Sequence, residues 1–67
     1  MELIINIGDQ FMKPAKIRKD ICTVVDIHTV TNFKGKIVNI IPIAKYRFLG
    51  KDVFYETTQT TVKRYKV

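Results

Sequence analysis

The apolar positions of this chain follow a short period almost throughout. From Ile21 to Thr31 the sequence ICTVVDIHTVT is almost entirely β-branched, and such side chains lose χ1 freedom in a helix while packing well on a pleated surface. The run predicts a strand. Asn32-Phe33-Lys34-Gly35 then breaks the pattern as a turn, with Gly35 free to take positive φ. A second extended run from Lys36 to Phe48 follows, and the two are expected to pair antiparallel.

Pro42 interrupts the second run, IVNIIPIAKYRF. A proline has no N–H for a central ladder, so the pattern predicts an edge or a bend there. The alternation changes phase across it: Ile37, Ile41 and Ile43 share one parity, while Val38, Ile40, Ala44, Tyr46 and Phe48 share the other. A bulge at this point is expected to re-aim the side chains. Leu49-Gly50-Lys51-Asp52 reads as the next turn and Val53 to Thr58 as a strand. After the polar Gln59-Thr60 step, Thr61 to Val67 reads as a last short strand. Nearer the start, Ile4-Ile5-Asn6-Ile7 reads as a short strand, Gly8 as a break, Phe11-Met12 as part of another strand, and residues 13 to 20 as a polar loop. No helix longer than a turn is predicted. The expected fold is all-β, a small five- to six-stranded antiparallel, SH3-like half-open barrel forming one domain over residues 1–67.

Length sharpens this picture. A chain of 67 residues hides only about 60% of its unfolded surface, so nearly every apolar side chain is needed in one core or at an oligomer interface. A homodimer is one expected way to meet that need. No apolar run reaches the ~18 residues of a membrane-spanning helix, so no membrane partner is expected. The start, Met1-Glu2-Leu3-Ile4-Ile5-Asn6, opens on an acid and lacks a basic leader, so a cytoplasmic location is expected. Cys22 is the sole cysteine and His28 the sole histidine. An internal disulfide or a cysteine-rich metal site is thereby excluded, and no cofactor or metal is expected.

The entry Gly8-Asp9-Gln10-Phe11, a long first loop, a Val-rich second strand, two hairpins and a terminal short strand occur in one order over residues 7 to 66. That order resembles the five-stranded Src-homology-type barrel, including its KOW and chromatin-reader variants, which bind nucleic acids or peptides. Cys22-Thr23-Val24-Val25-Asp26-Ile27, Thr29-Val30-Thr31-Asn32, Gly35, Phe48-Leu49-Gly50-Lys51 and Thr60-Thr61-Val62 also look like a group of small uncharacterised bacteriophage and mobile-element proteins. For a phage-borne protein the resemblance implies the host cell's cytoplasm.

Charge bears most directly on function. Twelve Lys and Arg stand against six acids, a net +6. Lys13, Lys16, Arg18 and Lys19 form one basic cluster, Lys45, Arg47 and Lys51 a second, and Lys63, Arg64 and Lys66 a third. If the first loop packs beside the third strand and the carboxyl end, they are expected to merge into one face that releases counterions from a phosphate backbone. Tyr46, between Lys45 and Arg47, and Tyr65, between Arg64 and Lys66, are candidates to stack on bases. Because strand neighbours point to opposite faces, the alternative is that both tyrosines belong to the core.

The acids Glu2, Asp9, Asp20, Asp26, Asp52 and Glu56 are scattered without metal-ligand spacing, and no phosphate-binding glycine loop is present. Asp26 lies two residues before His28 on one strand face, where a carboxylate can orient an imidazole, but a cross-strand salt bridge or a polar outer face explains the pair more cheaply. The leading expectation is a non-enzymatic module that contacts nucleic acid through Lys13, Lys16, Arg18, Lys19, Lys45, Arg47, Lys63 and Arg64. The alternative is a phage-type accessory protein that binds and inhibits a nucleic-acid-associated host protein, such as a defence nuclease. A self-associating structural protein, suggested by the isoleucines of residues 37–43, is a third class.

Overall fold

The computed structural model describes residues 2–13 and 20–67, with Lys13 described by its backbone alone. Four strands follow in chain order: β1 (Gln10–Lys13), β2 (Asp20–Thr31), β3 (Ile37–Phe48) and β4 (Lys51–Glu56). A short helix, α1 (Gln59–Arg64), comes last. The strands form one open antiparallel sheet in the order β1-β2-β3-β4. The all-β expectation stands, but among the described residues the sheet has four strands rather than five or six, and it does not close into a barrel.

Two segments expected to be strands are not. Residues 2–6 are irregular; they lie across one face of the sheet, where Ile5 is buried. The side-chain amide of Gln59 holds this segment at two points, Oε1 accepting from Ile4 N at 2.7 Å and Nε2 donating to Glu2 O at 3.0 Å. The second is the stretch from Thr61, which runs through α1. Thr58 is extended and its Oγ1 accepts from Thr61 N, an N-cap for a sequence that β propensity alone assigns to a strand. Burial of Val62 against the sheet overrides that propensity. The chain then passes the far edge of β1, where Phe11 and Lys66 form an isolated antiparallel bridge.

The long β2–β3 hairpin is as expected, but its irregularities are elsewhere than at Pro42. One bulge falls at Val25, between the pairs Val24↔Ala44 and Asp26↔Ile43, and a second shift lies between Val30↔Asn39 and Thr31↔Ile37. Pro42 stays in register opposite Ile27. Its carbonyl accepts from Thr57 N at 2.9 Å, so its missing N–H faces the flank where β4 has just ended at Glu56. The proline removes no ladder bond there.

Phe11, Cys22, Val24, Ala44 and Val62 are fully buried and form the core with Ile5, under a rim of Ile27, Tyr46, Tyr55 and Tyr65. Register explains the grouping, since Phe11↔Cys22 and Val24↔Ala44 are cross-strand pairs on one face. The protein thus has a covered face, under α1 and residues 2–6, and an open face pointing away from them.

Candidate nucleic-acid interface

The open face takes the side chains that alternate with the core residues. On β3, Ala44 and Tyr46 face inward, so Lys45 and Arg47 face out. Lys45 sits between Thr23 of β2 and Phe54 of β4. Arg47 stands opposite Asp52, and its Nη2 donates to the Gly50 carbonyl at 2.9 Å, which ties it to the β3–β4 turn. Phe54, beside Lys45, is 59% exposed, and Ile21 on the same face is 52% exposed. Neither apolar residue stands out in the sequence. Phe54 alternates with Val53 and Tyr55, and only the β3–β4 register shows that it is the member left outside.

The other expected contacts are distributed differently. Lys63 and Arg64 are exposed in the last turn of α1, on the covered side, where they complement the negative end of the helix. They are therefore separated by the sheet from Lys45 and Arg47. Lys66 reaches Asp9 at 3.8 Å. The side chain of Lys13, and Lys16, Arg18 and Lys19 entirely, lie outside the described residues. Of the expected contacts that are described with their side chains, Lys45 and Arg47 lie on one side of the sheet and Lys63 and Arg64 on the other.

The tyrosines take the core alternative. Tyr46 packs edge-to-face on Tyr55, with centroids 5.7 Å apart and planes at 74°, and Tyr65 lies half-buried against the core with the Arg64 guanidinium 5.8 Å from its ring. Tyr55 donates to Cys22 Sγ at 3.4 Å. Burial first, and the Cys22 contact second, push the Tyr55 phenol well above its ordinary pKa. Cys22 is a buried packing residue, as expected of a thiol in a strand.

Asp26 and His28 do meet, Oδ2 to Nε2 at 2.9 Å, and both are exposed on the open face. The Ile27 N–H, donating to Asp26 Oδ1 at 2.8 Å, is the main cause that holds the Asp26 carboxyl below its usual pKa, with His28 second. Asp26 is thus an anion already engaged by its own strand. Among the described residues, no group of three or more His, Cys, Asp and Glu is arranged to hold a metal ion, and no helix is long and apolar enough to cross a membrane. A pocket of about 350 Å³ lies between the first segment and α1, lined by Ile4, Asn39, Ile40, Thr58, Gln59 and Thr60, none of them titratable. Compared with family models, curated proteins and solved structures, the chain matches none.

Proposed function

We propose that this protein is a non-enzymatic module that contacts nucleic acid electrostatically, through a surface centred on β3. The observation that carries the reading is a run of sequence without acids. Between Asp26 and Asp52 the chain has no Asp or Glu but holds Lys34, Lys36, Lys45, Arg47 and Lys51, and this stretch folds as the β2–β3 hairpin with its following turn. Lys45 and Arg47 project from its open face, which they share with Asp52 opposite Arg47 and with Asp26 and Glu56 beside Ile43, so the excess of positive charge lies toward the acid-free hairpin that carries Lys34 and Lys36. A positive surface of this kind releases condensed counterions from a polyphosphate backbone, which drives binding of low sequence specificity.

After β4 the chain crosses the covered face as α1 and reaches the edge of β1 at the Phe11–Lys66 bridge, which leaves the opposite face of the sheet free for a partner. A cytoplasmic location is part of the same proposal, with which a content of one cysteine is consistent. A second reading, a phage-type accessory protein docking on a host protein, is favoured by the exposed Ile21 and Phe54 on the open face.

Anisotropy titrations of a random duplex and a random single strand, over a range of salt, separate the two. Nucleic-acid contact predicts affinity falling steeply with salt. Replacing Lys45 and Arg47 together by Ala should reduce the slope of log K on log salt by about 1.4–1.8, for two lost phosphate contacts. Undetectable binding at low ionic strength, or an unchanged slope in the double variant, sinks the reading and leaves protein capture through Phe54 to be pursued.

A further inference from the structure

The distal half of the β2–β3 hairpin is a bare two-stranded ribbon. β1 pairs with β2 only over Asp20 to Thr23, and β4 pairs with β3 only over Ile43 to Phe48. Beyond those limits the two strands run on as a pair, and from His28 to Asn39 no side chain is buried. The molecule is correspondingly elongated, 43 × 22 × 19 Å. An isolated hairpin is marginal in water, so a ribbon extending beyond its core adds little to folding.

Its tip is nevertheless firmly built. Asn32 Oδ1 accepts from both Lys34 N and Lys36 N, at 2.9 and 3.0 Å. Asn32 N donates to Lys36 O at 2.9 Å, and Gly35, at φ 81°, donates to Asn32 O at 3.0 Å. This turn presents Phe33 with 94% of its surface in water. Lys34 Nζ lies 5.8 Å from the centre of the ring, and Lys36 follows on the descending strand. Val30 and Val38 are also about half exposed, at 45% and 50%. Between these apolar side chains stand the hydrogen-bonding Thr29 and Thr31 and, at the base of the arm beside the pocket, Asn39, whose Oδ1 accepts from the Ile40 N–H at 2.9 Å; all three are exposed.

We infer that this ribbon is a reading arm that enters the major groove of B-form duplex DNA, with Lys34 and Lys36 on the flanking phosphates and Phe33 against base edges. The inference rests on the nucleic-acid reading proposed above. Three features select the occupant. The groove, about 12 Å wide, admits a two-stranded β-ribbon, whose strands are about 4.8 Å apart before their side chains are added. The groove edge offers donors and acceptors suited to Thr and Asn, and the thymine methyl suited to Phe and Val. The arm carries cations and no acid between Ile27 and its tip or back to Lys51, so two copies of it repel while a polyanion is attracted.

The test compares a mixed-sequence DNA duplex with the same duplex carrying uracil in place of thymine, which removes only the groove methyls, and with the matching A-form RNA duplex. The intact protein should favour the thymine duplex over its uracil counterpart by about fourfold, the worth of one buried methyl group, and should bind RNA duplex weakly because its major groove is too narrow to enter. Phe33→Ala should weaken binding to the thymine duplex about tenfold and abolish the thymine–uracil difference, with the salt slope retained. Lys34→Ala with Lys36→Ala should lower the slope by about 1.8. Because these side chains are exposed, each variant should melt as the parent does. Binding by the intact protein that ignores thymine methyls and is indifferent to Phe33→Ala overturns the arm while leaving the electrostatic reading in place. Absence of binding to any of the three duplexes overturns both.

Discussion

At the scale of the residue, Leu49 is the one non-glycine position with positive φ among the described residues. It has φ 51° and is followed by Gly50 at φ 77°, so both central residues of the two-residue β3–β4 turn are left-handed, as a type I′ hairpin turn requires. Glycine meets that demand freely, whereas leucine does not, and left-handed backbone costs an L-residue about 1–2 kcal/mol. The Leu49 side chain is 81% exposed and recovers little by burial. Leu49→Asn is therefore expected to stabilise the fold by about 1 kcal/mol, roughly 4–8 °C in Tm for a domain of this size. Thermal melting by circular dichroism checks it, and a lower Tm would show that the leucine makes contacts its exposure denies. The expected turn, Leu49 to Asp52, was two residues too long because Lys51 and Asp52 already belong to β4. Both are polar residues at an exposed strand start, and nothing in their side chains distinguishes that from a loop.

At the scale of the element, α1 tests how a six-residue helix survives in a Thr-rich segment. A helix this short does not form alone, because nucleation costs more than so few hydrogen bonds return. It is held by the Thr58 cap at one end, by Val62 in the core, and by the Tyr65 N–H donating to Thr61 O at 3.1 Å at the other. Thr58→Ala removes the cap and is expected to cost about 1 kcal/mol. In urea this should lower the midpoint with the slope unchanged. Should the midpoint hold, the helix is fixed by Val62 and the Gln59 clasp rather than by its cap. The same element explains the division of the basic residues. A strand over Thr61 to Val67 would have sent Lys63 and Arg64 to opposite faces, whereas the helix exposes both on the covered side of the sheet.

At the scale of the whole molecule, one small core supports a sheet much longer than itself. Phe11 is its largest fully buried side chain, and it joins β1, β2 and the returning chain at Lys66. Domains of this size rarely exceed about 3–5 kcal/mol of stability from a single core, and Phe→Ala in a core costs about 3–5 kcal/mol. Phe11→Ala should therefore leave the chain substantially unfolded at 25 °C, with amide resonances collapsed in an NMR spectrum, whereas Phe33→Ala should leave them dispersed. A folded Phe11→Ala protein would mean that the core is not the common support of the sheet and α1. The contrast between two phenylalanines, one holding the fold and one outside it, is also what makes the β2–β3 arm separable from stability.

The amino-acid sequence by itself determined the β class, the long hairpin from Ile21 to Phe48, its tip at Asn32 to Gly35 and the packing role of Cys22. These follow from local chemistry: β-branched side chains, a glycine able to take positive φ, and alternation on a pleat. Tertiary structure alone decided what depends on register and on which face is covered. Ile4 to Ile7 and Thr61 to Val67 have the composition of strands, yet no strand edge receives them along their length, and each instead lays an aliphatic side chain, Ile5 or Val62, on the covered face. Tyr46 adjoins Lys45 in the sequence and Phe54 meets it only across the strands, and the pairing of β3 with β4 packs the first against the core and leaves the second in water. Charge can be counted along a chain, but the side of the sheet from which each charge emerges is set by contacts between residues far apart in sequence.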